Sequence, residues 1–159
     1  MINKIENHDL LTGYANVKRI INMLIRTNDI KYKASSEAPS TYKSMVKFYN
    51  ENGFYSVYNG GDHGFLGQVY NIKFRALHDA MHLENELTFK FEDEKKLSDI
   101  TKEIFMEIAW STLNLTTWET YVIGEIINAE IKGQIEYYQK NKQYVKDQKQ
   151  FITEYLGVA

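Results

Sequence analysis

Cysteine is absent from this 159-residue chain, which excludes disulfide scaffolds, thiolate metal sites and cysteine nucleophiles together. Proline occurs once, at Pro39, where it suits the first position of a helix. No apolar run approaches the roughly 20 residues that span a bilayer. No basic-then-apolar segment ending in small residues opens the chain, so no secretory signal is expected. These shortages set a cytoplasmic expectation, with no membrane partner. Charge of one sign is also scarce: 19 basic against 21 acidic residues leave a formal net charge of -2. A nucleic-acid backbone is therefore not an expected partner. Lys140, Lys142, Lys146 and Lys149 form a local basic cluster, which general charge patterning assigns to a solvated helix end.

What the chain does hold is an ordinary globular composition, 43% apolar and 25% charged. Its length suits one domain, residues 1–159, with a continuous core. From Asp9, a good N-cap residue, Leu10, Tyr14, Val17, Ile20, Ile21 and Leu24 recur at helical spacing to about Thr27. Gly13 inside that helix costs roughly 1 kcal/mol relative to Ala. Residues 28–38 are polar and irregular. Pro39 opens a second pattern through Tyr42, Met45, Val46 and Tyr49, and Gly53 fits its C′ position. Phe54–Tyr58 is the one clear strand pattern. Gly60–Gly67, with four glycines, is a loop that matches no phosphate-cradling motif; it could deliver Asp62 and His63 to the mouth of a cleft. Leu87–Phe91 alternates and reads as extended. Asp93 starts a third long helix, Thr116 or Thr117 caps a fourth that runs to about Lys140, and Tyr144, Val145, Gln148, Phe151, Ile152 and Tyr155 make a last one. The expected fold is mainly α: a single-domain helical bundle with one short strand or hairpin.

The candidate site begins with residues 70–86. At about 100° per residue, Tyr70, Phe74, Leu77 and Met81 form an apolar stripe. Arg75, His78, Asp79, His82 and Glu86 form a second, polar one. Two of the protein's four histidines thus stand one turn apart, the arrangement in which two imidazoles share a metal ion. On the later helix, Ile123, Ile127, Glu130, Gln134 and Tyr137 fall within about 40° of one another. Glu130 therefore lies in a stripe that should be buried, where a carboxylate needs a cation, a metal or several donors. A Tyr hydroxyl or Arg75 could supply that partner without any function. Gly133, mid-helix, would let a bulky group approach closely.

His78, His82 and Glu130 together would make the two-His-one-carboxylate set of hydrolytic zinc sites, which also suits non-haem iron or manganese. In that arrangement Glu130 ligates the ion or serves as base, and Asp79 orients a histidine or ligates the ion directly. Arg75 clamps an anionic group, while His63 and Gln134 line the substrate side.

The segments Asn71-Ile-Lys-Phe-Arg-Ala-Leu-His-Asp-Ala-Met-His82, Glu130-Ile-Lys-Gly-Gln134 and Tyr144-Val-Lys-Asp-Gln148 resemble a group of small tailed-bacteriophage proteins. That group carries N-x-x-F-R-x-x-H-D-x-x-H, then E-x-x-G-Q, then D-Q. The resemblance spans about Tyr58 to Phe151. It departs at Phe89–Glu94, where several relatives have a Gly-Glu pair and this chain has no Gly. It implies a phage-encoded protein, acting in the host cytoplasm, and marks those residues without implying a reaction.

Two functions follow as expectations. One is a metal-dependent hydrolase of a phosphate-bearing small molecule or nucleotide. The other is a non-catalytic phage inhibitor of a host or anti-phage defence protein, in which the His-Asp-His cluster is a structural hydrogen-bond network.

Overall fold

A computed structural model describes residues 3–158. Helix α1 (Asn7–Thr27) buries Leu10, Tyr14, Val17, Ile20 and Ile21 along one face, as their spacing requires. A reciprocal box between Glu6 and Asp9 closes its start, so Asp9 is the third helical residue rather than the cap. Gly13 has a packing reason: a Cβ there would stand 2.6 Å from Ile126 Cδ1, so α1 and a later helix cross at that point.

A small β–α–β unit follows: β1 (Tyr32–Ser35), α2 (Tyr42–Asn52) and β2 (Tyr55–Tyr58). The strands pair in parallel, from Tyr32 opposite Tyr55 to Ser35 opposite Tyr58. The hairpin alternative thus gives way to a parallel pair, because α2 carries the chain back before β2 begins. The segment read as irregular, 28–38, contains the partner strand. Pro39 lies ahead of α2, whose cap is Thr41, accepting from the Ser44 N–H. Gly53 closes α2 in the left-handed region at φ 75°, as expected.

Helix α3 (Gly67–Asn85) lies between this unit and the main bundle. Phe74, Leu77 and Met81 enter the larger core, while Ala76 packs with Met45, Tyr55 and Val57 of the β–α–β unit. Residues 87–90 form no strand. They are a connector held by Asp93, which accepts from both the N–H and the hydroxyl of Thr88 at 2.9 and 2.6 Å. Helix α4 (Phe91–Ser111) therefore begins before Asp93.

Helix α5 (Thr117–Asn128) is opened by a Thr116–Glu119 capping box. It runs without a break through a π-helical turn (Ala129–Gly133) into α6 (Gln134–Asn141). Tyr144 and Val145 stand outside the last helix, α7 (Gln148–Tyr155), whose cap is Asp147. The main core joins Leu10, Ile20, Leu97, Phe105, Ile123, Ile127 and Ile152, all completely buried. The fold is mainly α with one short parallel strand pair. Among the described residues no helix is long and apolar enough to cross a membrane.

Candidate metal centre

Asn71, Arg75, His78 and His82 fall within about 60° of one another around α3, forming one polar line along it. The first turn of α4 meets the C-terminal end of that line. His82 Nε2 lies 2.7 Å from Glu94 Oε1, His78 Nε2 lies 3.0 Å from Glu94 Oε2, and the two imidazole Nε2 atoms are 3.0 Å apart. One ligating atom from each residue lies within 4.8 Å of the others, a set that could hold a metal ion. His82 is fully buried, and its Nδ1 is 2.8 Å from the Leu87 carbonyl oxygen, to which it donates. That bond puts a proton on Nδ1, so a neutral His82 carries its lone pair on Nε2, toward Glu94 and His78. The His78 ring meets His82 edge-on, and Phe89 does so from another side.

The proton count in this cluster is unusual. A neutral His82 donating through Nδ1 presents a bare nitrogen to a carboxylate oxygen 2.7 Å away, an acceptor facing an acceptor. Either an additional proton makes His82 an imidazolium, or a metal ion takes that proton's place. His78 Nδ1 adds to the imbalance, since it is buried and has no hydrogen-bond partner. Burial alone would raise the Glu94 pKa, but the adjacent His78 and His82 outweigh it and pull the carboxyl down to about 2. Glu94 is thus firmly ionised.

Glu130 does not join this cluster. The third group beside His78 and His82 is Glu94, so the ligand set His78–His82–Glu130 is corrected at its carboxylate. Glu130 is satisfied elsewhere: the Tyr14 hydroxyl donates to Oε1 at 2.6 Å and Gln134 Nε2 donates to Oε2 at 3.2 Å. Burial pushes the Glu130 carboxyl up to about 7, against the lowering effect of the Tyr14 bond and the Arg75 charge. It sits on the π turn, a distortion often found at functional sites. A Cβ on Gly133 would stand 2.9 Å from the Tyr155 ring, so the close approach expected of that glycine is made by an aromatic side chain.

Arg75 lies one turn before His78 on α3 and is held by backbone carbonyls. Its Nη1 donates to the Tyr58 and Gly60 carbonyls at 2.6 and 2.9 Å, anchoring one edge of the guanidinium. Its charge acts on Glu130, and it stands about 4.5 Å along the α3 axis from His78. Gln134 continues the Glu130 network to Gln148 Oε1 at 3.1 Å, and the Gln148 N–H donates to Asp62 at 2.8 Å. The Gly60–Gly67 loop is thereby stapled to the start of α7. Gly64, at φ 56°, permits this approach, since a Cβ there would lie 3.0 Å from Gln148 Cβ. His63 Nδ1 lies 3.1 Å from Asn71 Nδ2 and accepts from it. Glu130, Gln134, Gln148 and Asp62 therefore form one hydrogen-bonded chain, while His63 pairs with Asn71 and Arg75 with backbone carbonyls.

Asp79 does not orient a histidine. The Leu87 carbonyl fills that role, and Asp79 makes no hydrogen bond to either ring. Burial pushes its carboxyl up to about 7, with the His82 charge opposing. The residues missed from sequence were Glu94, Leu87 through its carbonyl, and Tyr14. Glu94 sits in the acidic run Glu92-Asp93-Glu94, which suits any helix start. Its spacing to Leu97, Ser98, Thr101 and Phe105, all buried, was the available signal. Comparison with family models, curated proteins and solved structures finds no match to this chain.

Proposed function

We propose that this protein is a metal-dependent hydrolase of a phosphate-bearing small molecule, with His78, His82 and Glu94 holding a divalent ion such as zinc, iron or manganese. The observation that carries the proposal is the convergence of three Lewis-basic atoms, with the His82 tautomer set by Leu87 so that a lone pair faces the shared position. Three protein ligands leave a coordination position for water, whose pKa a zinc ion lowers to about 7. With bonds of 2.0–2.1 Å, tetrahedral ligand atoms stand about 3.3 Å apart, so the cluster needs to open by only a few tenths of an ångström. Glu94 and Glu130 have been driven in opposite directions, to about 2 and about 7. Divergent carboxyls of this kind separate a permanent anion from a proton-transfer group. Glu94 is the ligand and Glu130 the proton carrier. Arg75, anchored by two carbonyls, offers its remaining N–H groups to a phosphate oxygen.

The short N···O distances favour a second function as well. At 2.7 and 3.0 Å they suit hydrogen bonds without any ion. The cluster would then be a structural lock in a non-catalytic inhibitor of a host or defence protein. His82→Ala separates the two, measured as metal content of untagged protein and as melting curves with and without a chelator. The hydrolase predicts metal bound by the wild type, a chelator-sensitive melting point and loss of uptake in the variant. The lock predicts no metal and no chelator effect. It also predicts a variant melting about 6–20 °C lower, because an unpaired buried ion costs about 3–5 kcal/mol.

A further inference from the structure

A cavity of about 530 Å³ opens where the β–α–β unit meets the bundle. Its size falls within the range of about 300–1,000 Å³ typical of small-molecule sites. Leu77, Ala80, Met81 and Glu84 of α3 line it, at the i, i+3, i+4, i+7 spacing of one helix face. That face lies about 140° round α3 from the line of Arg75, His78 and His82, so the cavity is separate from the candidate metal centre. Leu24 and Ile30 bound it from the end of α1, and Ile104 from α4. Tyr49 and Tyr55 add an aromatic wall, their rings stacked with centroids 4.5 Å apart and planes 25° from parallel.

The polar groups of the lining select among ligands. Asp29, Lys31 and Glu84 are its charged residues, two acids and one base. Lys31 stands 3.9 Å from Asp29, whereas Glu84 has no ion-pair partner among the described residues. The uncompensated charge is thus negative and calls for a cation. Tyr55 is only 5% exposed, yet among the described residues its hydroxyl has no hydrogen-bond partner. A buried hydroxyl left unpaired is costly, and a polar head entering the cavity would relieve it. Burial keeps that hydroxyl protonated well past its ordinary range, and its lone pairs remain free to accept from an N–H group. The mouth is already set by the turn that ends α1, where the Asp29 and Ile30 N–H groups donate to the Arg26 and Ile25 carbonyls at 3.2 and 3.0 Å. Little ordering is left for a ligand to impose.

We propose that this cavity binds a small amphipathic amine, its apolar or aromatic body against Leu77, Met81 and the Tyr49–Tyr55 wall and its ammonium group at Glu84 and the Tyr55 hydroxyl. Titration calorimetry with 2-phenylethylammonium, 3-phenylpropanoate and ethylammonium tests it, in EDTA so that the metal centre contributes nothing. The proteins are wild type, Glu84→Gln and Ala80→Leu, with methionine methyl signals followed by NMR. 2-Phenylethylammonium should bind wild type about 10-fold or more tighter than either of the others, because one reverses the charge and the other lacks the ring. It should shift the Met81 methyl signal and leave that of Met106, which packs on α5 at Gly124, unchanged. Glu84→Gln, at an exposed position, should weaken the aromatic amine about 2- to 5-fold and leave the carboxylate no weaker. Ala80→Leu fills the cavity and should weaken the amine about 10-fold or more. A melting curve shows whether that variant keeps the fold, and Glu84→Gln decides the question if it does not. No binding of 2-phenylethylammonium, an equal or tighter 3-phenylpropanoate, a response that spares Met81, or a Glu84→Gln variant that binds like wild type overturns the proposal.

Discussion

Replacing Glu94 with Gln keeps the shape of the side chain and removes its charge. The gap between an ordinary glutamate at 4.5 and Glu94 at about 2, at 1.36 kcal/mol per pH unit, amounts to about 3 kcal/mol of stability. Because the folded-state pKa lies below the unfolded one, that contribution is complete above about pH 4.5 and is lost as the pH falls through about 2. Glu94→Gln should therefore destabilise the chelator-treated protein by about 3 kcal/mol at pH 7, equivalent to about 6–12 °C in melting point. The deficit should remain nearly whole at pH 4.5 and fall to about half by pH 3. Urea unfolding followed by circular dichroism at those three pH values measures it directly. The outcome does not depend on which groups His78 and His82 serve in the living cell, because the pairing with Glu94 is present in the fold itself. A variant as stable as wild type at pH 7, or a deficit of the same size at pH 3 as at pH 7, would refute the reasoning. Adding zinc supplies an independent control: wild type should gain stability and Glu94→Gln should gain far less, since a neutral amide is a poor ligand for the ion.

Glu130→Gln should act with the opposite sign. Its folded-state value of about 7 lies above the ordinary 4.5, so the native carboxyl is a growing liability as pH rises between those values; the variant should be more stable by up to about 3 kcal/mol at pH 8 and unchanged at pH 4, read from urea midpoints. Any hydrolytic activity should be lost in the same variant, the pattern expected where stability has been given up for function. Gly133→Ala should destabilise through the Tyr155 ring 2.9 Å from the added carbon, by about 1–3 kcal/mol offset in part by alanine's helix propensity. The double variant with Tyr155→Ala should recover part of that loss, and strict additivity in a double-mutant cycle would show that the two residues do not touch.

Long apolar stripes were legible in the sequence because burial of one helix face imposes its own spacing. The faces Leu10–Ile21 and Ile123–Ile127 are those that the core uses. The polar line of α3 was legible for the same reason, and so was the burial of Glu130 with a Tyr hydroxyl as its partner. The identity of the third ligand was not. A periodic pattern shows which side chains share a helix face, but not which helix faces which. Glu130 and Glu94 both lie on inward faces, and tertiary packing alone decides that α4 meets the histidines. β1 was hidden for a related reason. Tyr32-Lys-Ala-Ser35 has little alternation of its own and is extended because β2 offers it a ladder. Leu87 was beyond reach for another reason, since it acts through a carbonyl that every residue possesses.

The residues Ala129–Gly133 follow one another at five residues per hydrogen-bonded ring instead of four. Such a turn behaves as a one-residue insertion, and everything after it is rotated by about 100° relative to an uninterrupted α-helix. Removing a single codon here would leave α5 seated against α1 and α4. It would also turn α6 relative to α4, which it packs against, and part Gln134 from Gln148. The gene thus has a point at which a minimal deletion separates the seating of α5 from the orientation of α6. Homologous chains that differ by one residue in this turn should share the packing of α5 and differ in the face that α6 turns inward.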